Sequence, residues 1–200
     1  MGLMGAKTPE GFRIARRSLE FVRRFVPGDG LEDEVLRRCI AATGDPSVKD
    51  IIVFKGDVQD GVEALRRRCR IIVDVKMVKA GLRRPSVAAV EFCAGDEDSA
   101  TARATRVASG FRRIKEAVRG SFVAIGNSPS AAMALCEVAE AGYEPVFVVA
   151  TPVGFVNAAE AKERIRRLDI PSITTVGSRG GSAVCVAIVN CLIEHAERPH

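Results

Sequence analysis

Phe122-Val123-Ala124-Ile125-Gly126-Asn127-Ser128-Pro129-Ser130-Ala131 decides the fold. Four apolar residues without alternation describe a strand covered on both faces. Gly126 and Asn127 stop it. Ser128 then supplies a helix cap and Pro129 fits a first helical turn, so residues 131–141 continue as a helix. A buried strand that feeds a helix through a short loop is the repeating step of a parallel sheet.

The same step recurs on either side. Apolar runs fall at residues 51–54, 71–75, 87–93, 146–150 and 173–176. Helical stretches fall at 58–69, 100–118, 158–168 and 183–195. Two amphipathic helices precede them, over 11–25 and 31–42, separated by Pro27-Gly28-Asp29-Gly30. The expected fold class is α/β: a single three-layer domain over 1–200, a mostly parallel sheet with helices on both faces, and a helical N-terminal segment. No internal repeat or low-complexity linker divides the chain.

Composition narrows the function. Of the residues, 47% are hydrophobic, enough for a real core, but only 5% are aromatic, so that core is aliphatic. The net charge is +5, and much of it is arginine in runs such as Arg16-Arg17, Arg66-Arg67-Arg68 and Arg112-Arg113. These runs are spread along the chain and lack interleaved aromatics, so a nucleic-acid platform is not expected. Solvated helix faces and a field that attracts a small anion both fit them. No window reaches membrane-spanning length, and residues 1–8 lack a signal core. None of the six cysteines forms a CxxC pair, and most lie in apolar runs, as buried thiols of a reducing cytoplasm do.

Ligands of open α/β sheets bind beyond the carboxyl ends of the strands. Four unusual segments are expected there: Asp74 to Gly81, Gly126 to Ser130, Thr151 to Phe155, and Gly177-Ser178-Arg179-Gly180-Gly181-Ser182. The glycines of the last let the backbone turn tightly and approach a ligand, the following helix offers unpaired N–H groups, and Arg179 adds charge. That combination suits a carboxylate or phosphate, although a plain glycine turn has the same composition. It is neither GxxxxGK[ST] nor GxGxxG, so a nucleoside triphosphate is not implied. Asn127 can donate and accept at a strand end. Asp74 reads as an anchor of loop geometry, and Glu160 and Lys162 as a solvated helix face.

Taken in order, these segments resemble the precorrin-8 (or cobalt-precorrin-8) methylmutases of cobalamin synthesis. Val153-Gly154-Phe155-Val156-Asn157-Ala158-Ala159-Glu160 is similar to their PVGFVxAAE run, and Ala124 to Ala131 to their AIGNAPTA. Asp74-Val75-Lys76-Met77-Val78-Lys79-Ala80-Gly81 resembles their DVxMVxAG, and Thr105-Arg106 their TR pair. Gly177, Gly180-Gly181-Ser182 and Asn190 resemble their final motif. The resemblance implies an isomerase that moves a methyl group between neighbouring ring carbons of a modified tetrapyrrole. It implies no metal site and no cofactor, any cobalt belonging to the substrate, and a cytoplasmic homodimer as the working form. It implies catalytic positions at Ser18, Ala41, Arg83 and Arg106, and substrate contacts at Asp74, Met77, Gly126, Asn127, Gly154, Phe155, Arg179, Gly180, Gly181 and Ser182. In it, residues 180–182 hold carboxylates through backbone N–H groups.

One departure stands out. The family's IHATGD segment carries a histidine thought to protonate the ring; here it reads Ile40-Ala41-Ala42-Thr43-Gly44-Asp45. The only histidines are His195 and His200. Arg83 also replaces a small polar residue. Three readings follow: a mutase that relies on positioning, a corrinoid binder that has lost catalysis, or an alanine introduced on purpose. A binder of another acidic metabolite is the reading without the resemblance.

Overall fold

The computed structural model describes residues 8–93 and 105–198. Helices α1 (Pro9–Val22) and α2 (Leu31–Thr43) lead into β1 (Ile52–Lys55), α3 (Val58–Arg66), β2 (Ile71–Val73), α4 (Lys76–Gly81) and β3 (Val87–Ala88). Then follow α5 (Arg106–Arg113), α6 (Lys115–Val118), β4 (Phe122–Ile125), α7 (Pro129–Glu140), β5 (Phe147–Ala150), α8 (Ala158–Arg167), β6 (Ser172–Thr175) and α9 (Ser182–Ala196). The sheet order is β1-β6-β5-β4-β2-β3; β1 is antiparallel to β6 and every other pair is parallel.

Alternate residues of each strand face opposite layers. Val73, Phe122, Ala124, Phe147, Val149 and Ile173 pack beneath α2, α3 and α9. Ile72, Val123, Ile125, Val148 and Ala150 pack beneath α5, α7 and α8. Both faces are therefore aliphatic, which is why β4 and β5 read as unbroken apolar runs. No helix among the described residues is long and apolar enough to cross a membrane.

Three local expectations need correction. The run 87–93 is not one strand. Only Val87–Ala88 pairs, and Ala89–Phe92 coils into a 3-10 turn. The cause is the close passage of α5: a Cβ on Gly110 would lie 1.9 Å from the Ala89 carbonyl oxygen. One further ladder bond, from the Val90 N–H to the Asp74 carbonyl, continues the pairing past Ala88. Strand β2 is shorter than the run 71–75: it ends at Val73, the Asp74 backbone still bonds Ala124 and Val90 while its side chain binds another loop, and α4 starts at Lys76. The helix expected over 100–118 begins at Arg106, capped by Thr105, and breaks at Ile114; residues 100–104 lie outside the described ones.

Candidate functional site

Strands β2, β4, β5 and β6 are parallel, so Asp74, Gly126, Thr151 and Val176 meet at one edge. Asp74 is fully buried there. Its Oδ1 accepts the Gly126 N–H at 3.2 Å, and its Oδ2 accepts those of Asn127 and Ser128 at 2.8 Å each. Burial pushes its pKa up, and the N–H donors oppose that without cancelling it. The carboxylate thus shapes the loop that exposes Asn127 and caps α7. A Cβ on Gly126 would lie 2.9 Å from the Ser182 Cα, so glycine lets the start of α9 seat on this loop.

Asp74→Asn puts an amide N–H₂ where an oxygen accepts N–H donors. Hydrogen bonds to charged groups contribute about 1.5–3 kcal/mol each. Losing at least one lowers stability by roughly 2–3 kcal/mol, measurable by urea unfolding.

The glycine loop is held from beneath by Lys162, whose charge alone suggests a solvated helix face. Lys162 is completely buried. Its three ammonium protons match three acceptors: the Pro152 carbonyl at 3.0 Å, Thr175 Oγ1 at 3.0 Å and the Arg179 carbonyl at 2.9 Å. One side chain thereby ties the ends of β5 and β6 to the loop before α9. A sequence signal existed: Ala158, Ala161 and Ile165 form the buried stripe of α8, and Lys162 falls inside it.

Two expected anion donors are engaged within the protein. Arg179 Nη2 pairs with Asp45 and lies 3.0 Å from Ser47 Oγ. The Gly181 N–H donates to the Thr151 carbonyl at 2.6 Å. Gly180, at φ +151, lets this happen, since a Cβ there would meet the Thr151 oxygen at 2.3 Å. The donors that remain are the first-turn N–H groups of α9, which have no intrahelical acceptor. Beside them is the Ser182 hydroxyl, buried and without a partner among the described residues. An orphaned buried hydroxyl at a helix N-terminus fits an anionic group of a ligand.

Helix α2 brings Ala41 to the same edge. Glu34 meets His195 and Arg38 meets Glu194, so α2 runs antiparallel to α9 and its last turn lies by the start of α9. Ala41 is half-buried there. Ala42, Gly81, Arg83, Ala183, Val186 and Asn190 line a cavity of about 350 Å³. Asn190 shapes its wall: its Oδ1 accepts the Arg83 N–H at 3.0 Å, and its Nδ2 donates to the Gly81 carbonyl at 2.9 Å. Glu194 holds the Arg83 guanidinium at 3.0 Å. Met77, Phe155 and Val156 form an exposed apolar rim beyond the strand ends, Phe155 being 98% exposed. Gly154, at φ +148, turns the chain into that rim.

Arg106 opens α5, with Nη2 at 3.5 Å from Cys93 Sγ. Thr105 Oγ1 meets Ser130 Oγ at 2.6 Å, and Ser130 meets Ser128 at 2.9 Å. That hydroxyl chain sets Arg106 at the carboxyl edge, next to the Asp74-bound loop. Ser18 is not brought into hydrogen-bond contact with these loops among the described residues; α1 packs on α2.

Glu34, Cys191 and His195 gather between α2 and α9. Arg38 and Arg198 bind the same carboxylate, which makes this trio part of an ion-pair network. Burial alone would raise the Glu34 pKa, but His195 and Arg38 hold it down to about 2 from an ordinary 4.5. The folded value lies below the unfolded one. The pair's contribution is therefore complete above pH 4.5 and is lost as pH falls towards 2. It amounts to roughly 2–3 kcal/mol. Glu34→Gln flattens that part of the wild-type acid-unfolding profile.

Fold and site together define an α/β protein with a pocket at the carboxyl edge of its sheet, beside the start of α9. The family model for precorrin-8X methylmutase matches residues 13–195, and the chain belongs to that family. It is 60% identical over 196 residues to the cobalamin biosynthesis protein CbiHC of Archaeoglobus fulgidus, covering 98% of this chain but 42% of that one. It is 36% identical to the cobalt-precorrin-8 methylmutase of Methanocaldococcus jannaschii, covering 97% of this chain and 98% of the relative. The crystal structure of the Thermus thermophilus precorrin-8x methyl mutase superposes with a TM-score of 0.80 at 33% identity, covering 92% of this chain and 96% of the other.

Proposed function

We infer that this chain is an isomerase of cobalamin biosynthesis. It moves a methyl group between adjacent ring carbons of precorrin-8 or its cobalt form, yielding hydrogenobyrinate or cobyrinate. The observation that carries this reading, beside family membership, is the orphaned Ser182 hydroxyl among the free first-turn N–H groups of α9. It adjoins an apolar cavity and rim, as a flat macrocycle fringed with carboxylates requires. The cavity of about 350 Å³ takes one edge of such a ring, and Met77, Phe155 and Val156 cover more of it.

The shift is unimolecular, so holding the ring in a reactive geometry lowers its barrier. Arg83 and Arg106 act as cations towards carboxylates or ring charge, not as general acids. With alanine at 41, this chain works by position and electrostatics. No resident cofactor enters the reading, cobalt being carried by the substrate. A cytoplasmic homodimer of one domain over 1–200 completes it; Ile14 and Phe21, exposed on α1, suit a partner surface.

Binding is tested with hydrogenobyrinic acid, whose visible spectrum reports its surroundings. The wild-type chain shifts the spectrum saturably. Ser182→Ala, which removes one hydrogen bond to a charged group, weakens binding by roughly tenfold or more. A spectrum unchanged by saturating wild-type protein contradicts the reading.

A further inference from the structure

The opposite edge of the sheet holds a second cleft, of about 660 Å³, at the amino ends of β2, β3 and β4. Arg68, Arg70 and Arg119 are among the residues that line it, and no carboxylate is. Elsewhere the arginines are commonly paired with acids, as Arg38, Arg83, Arg112 and Arg164 are. Among the described residues these three have no acidic partner; Arg119 only stacks on Tyr143. Helices α3 and α6 end here, and their carboxyl ends offset at most about half a charge each. The cleft therefore keeps an excess of about two positive charges.

A further observation points to a ligand. The Ser86 hydroxyl lines the cleft, buried and unpartnered among the described residues. Arg68 has φ +57, a left-handed conformation that costs a residue with a Cβ about 1–2 kcal/mol. Glycine would occupy that turn without strain.

We propose that this amino-edge cleft is a second binding site, for a compact polyanion bearing at least two charges. Arg68, Arg70 and Arg119 bind its oxygens, and the Ser86 hydroxyl donates to one of them. A phosphate ester and a small polycarboxylate share that chemistry. Because the cleft lies across the sheet from the strand-end pocket, its occupant is distinct from the reacting ring.

Titration calorimetry on the full chain with inorganic pyrophosphate and with tricarballylate tests the site. Saturable binding is expected, weakened roughly tenfold or more in Arg68→Gln/Arg119→Gln, which lacks two charged donors. Binding of pyrophosphate alone assigns the site to phosphate esters; equal binding of both assigns it to polyanions generally. Arg68→Gly separates a structural role from a binding one: the proposal expects unchanged or raised thermal stability with weakened binding. Absence of heat with both probes overturns the proposal. So does binding that the double variant leaves unchanged, since the anion would then occupy the strand-end pocket.

Discussion

Lys162→Met lowers the stability of this chain by about 1–3 kcal/mol, the scale for leaving a buried acceptor without its hydrogen-bond donor. The methionine fills the volume but leaves the Pro152 and Arg179 carbonyls and the Thr175 hydroxyl without their shared donor. Those acceptors belong to three segments of the ligand-binding edge, so the loop before α9 loses its support even where the fold survives. Near 200 residues, each kcal/mol lowers Tm by roughly 2–4 °C. A pH signature accompanies the effect. Burial, helped by the Arg166 charge, holds the Lys162 pKa down to about 8 from an ordinary 10.5. Between those values the unfolded chain binds the proton that the fold disfavours, so wild-type stability rises with pH across that window. Lys162→Met removes that part of the rise. A variant within 1 kcal/mol of wild type would show that the three acceptors find other donors.

Much of this edge was legible in the chain before its coordinates. Residues 122–125 and the Ser128-Pro129 cap read directly, because a strand buried on both faces has no polar position to blur it. Asp74 read as an anchor, and its three N–H partners are of that kind. What did not read depends on distant partners. Arg179 looks like a ligand's cation until Asp45, far away in sequence, is seen against it. The Gly181 N–H looks available until the Thr151 carbonyl arrives from another strand. Lys162 looks solvated because charge usually is, and only its position within the apolar stripe of α8 argues otherwise. The run 87–93 fails for a related reason: hydrophobicity alone does not separate a strand from a buried 3-10 turn.

Ala41→His raises the rate of methyl migration by a factor of about a hundred to ten thousand, the range for a well-placed general acid. The side chain enters on the last turn of α2, next to Ala42 in the cavity wall. Imidazolium is the form that donates a proton, so the gain is larger at acid than at alkaline pH. Substrate affinity changes little, since the anion donors of α9 are untouched. A rate equal to wild type would move attention from position 41 to Arg83 and Arg106 as the groups that limit turnover.

Single-turnover conversion of precorrin-8 by excess wild-type chain, followed by visible absorbance and run beside Ala41→His, tests the central claim most directly. The account predicts that both proteins form hydrogenobyrinate, the wild type slowly and the variant faster. Formation of no product by either protein, with a substrate spectrum unchanged on mixing, would contradict it.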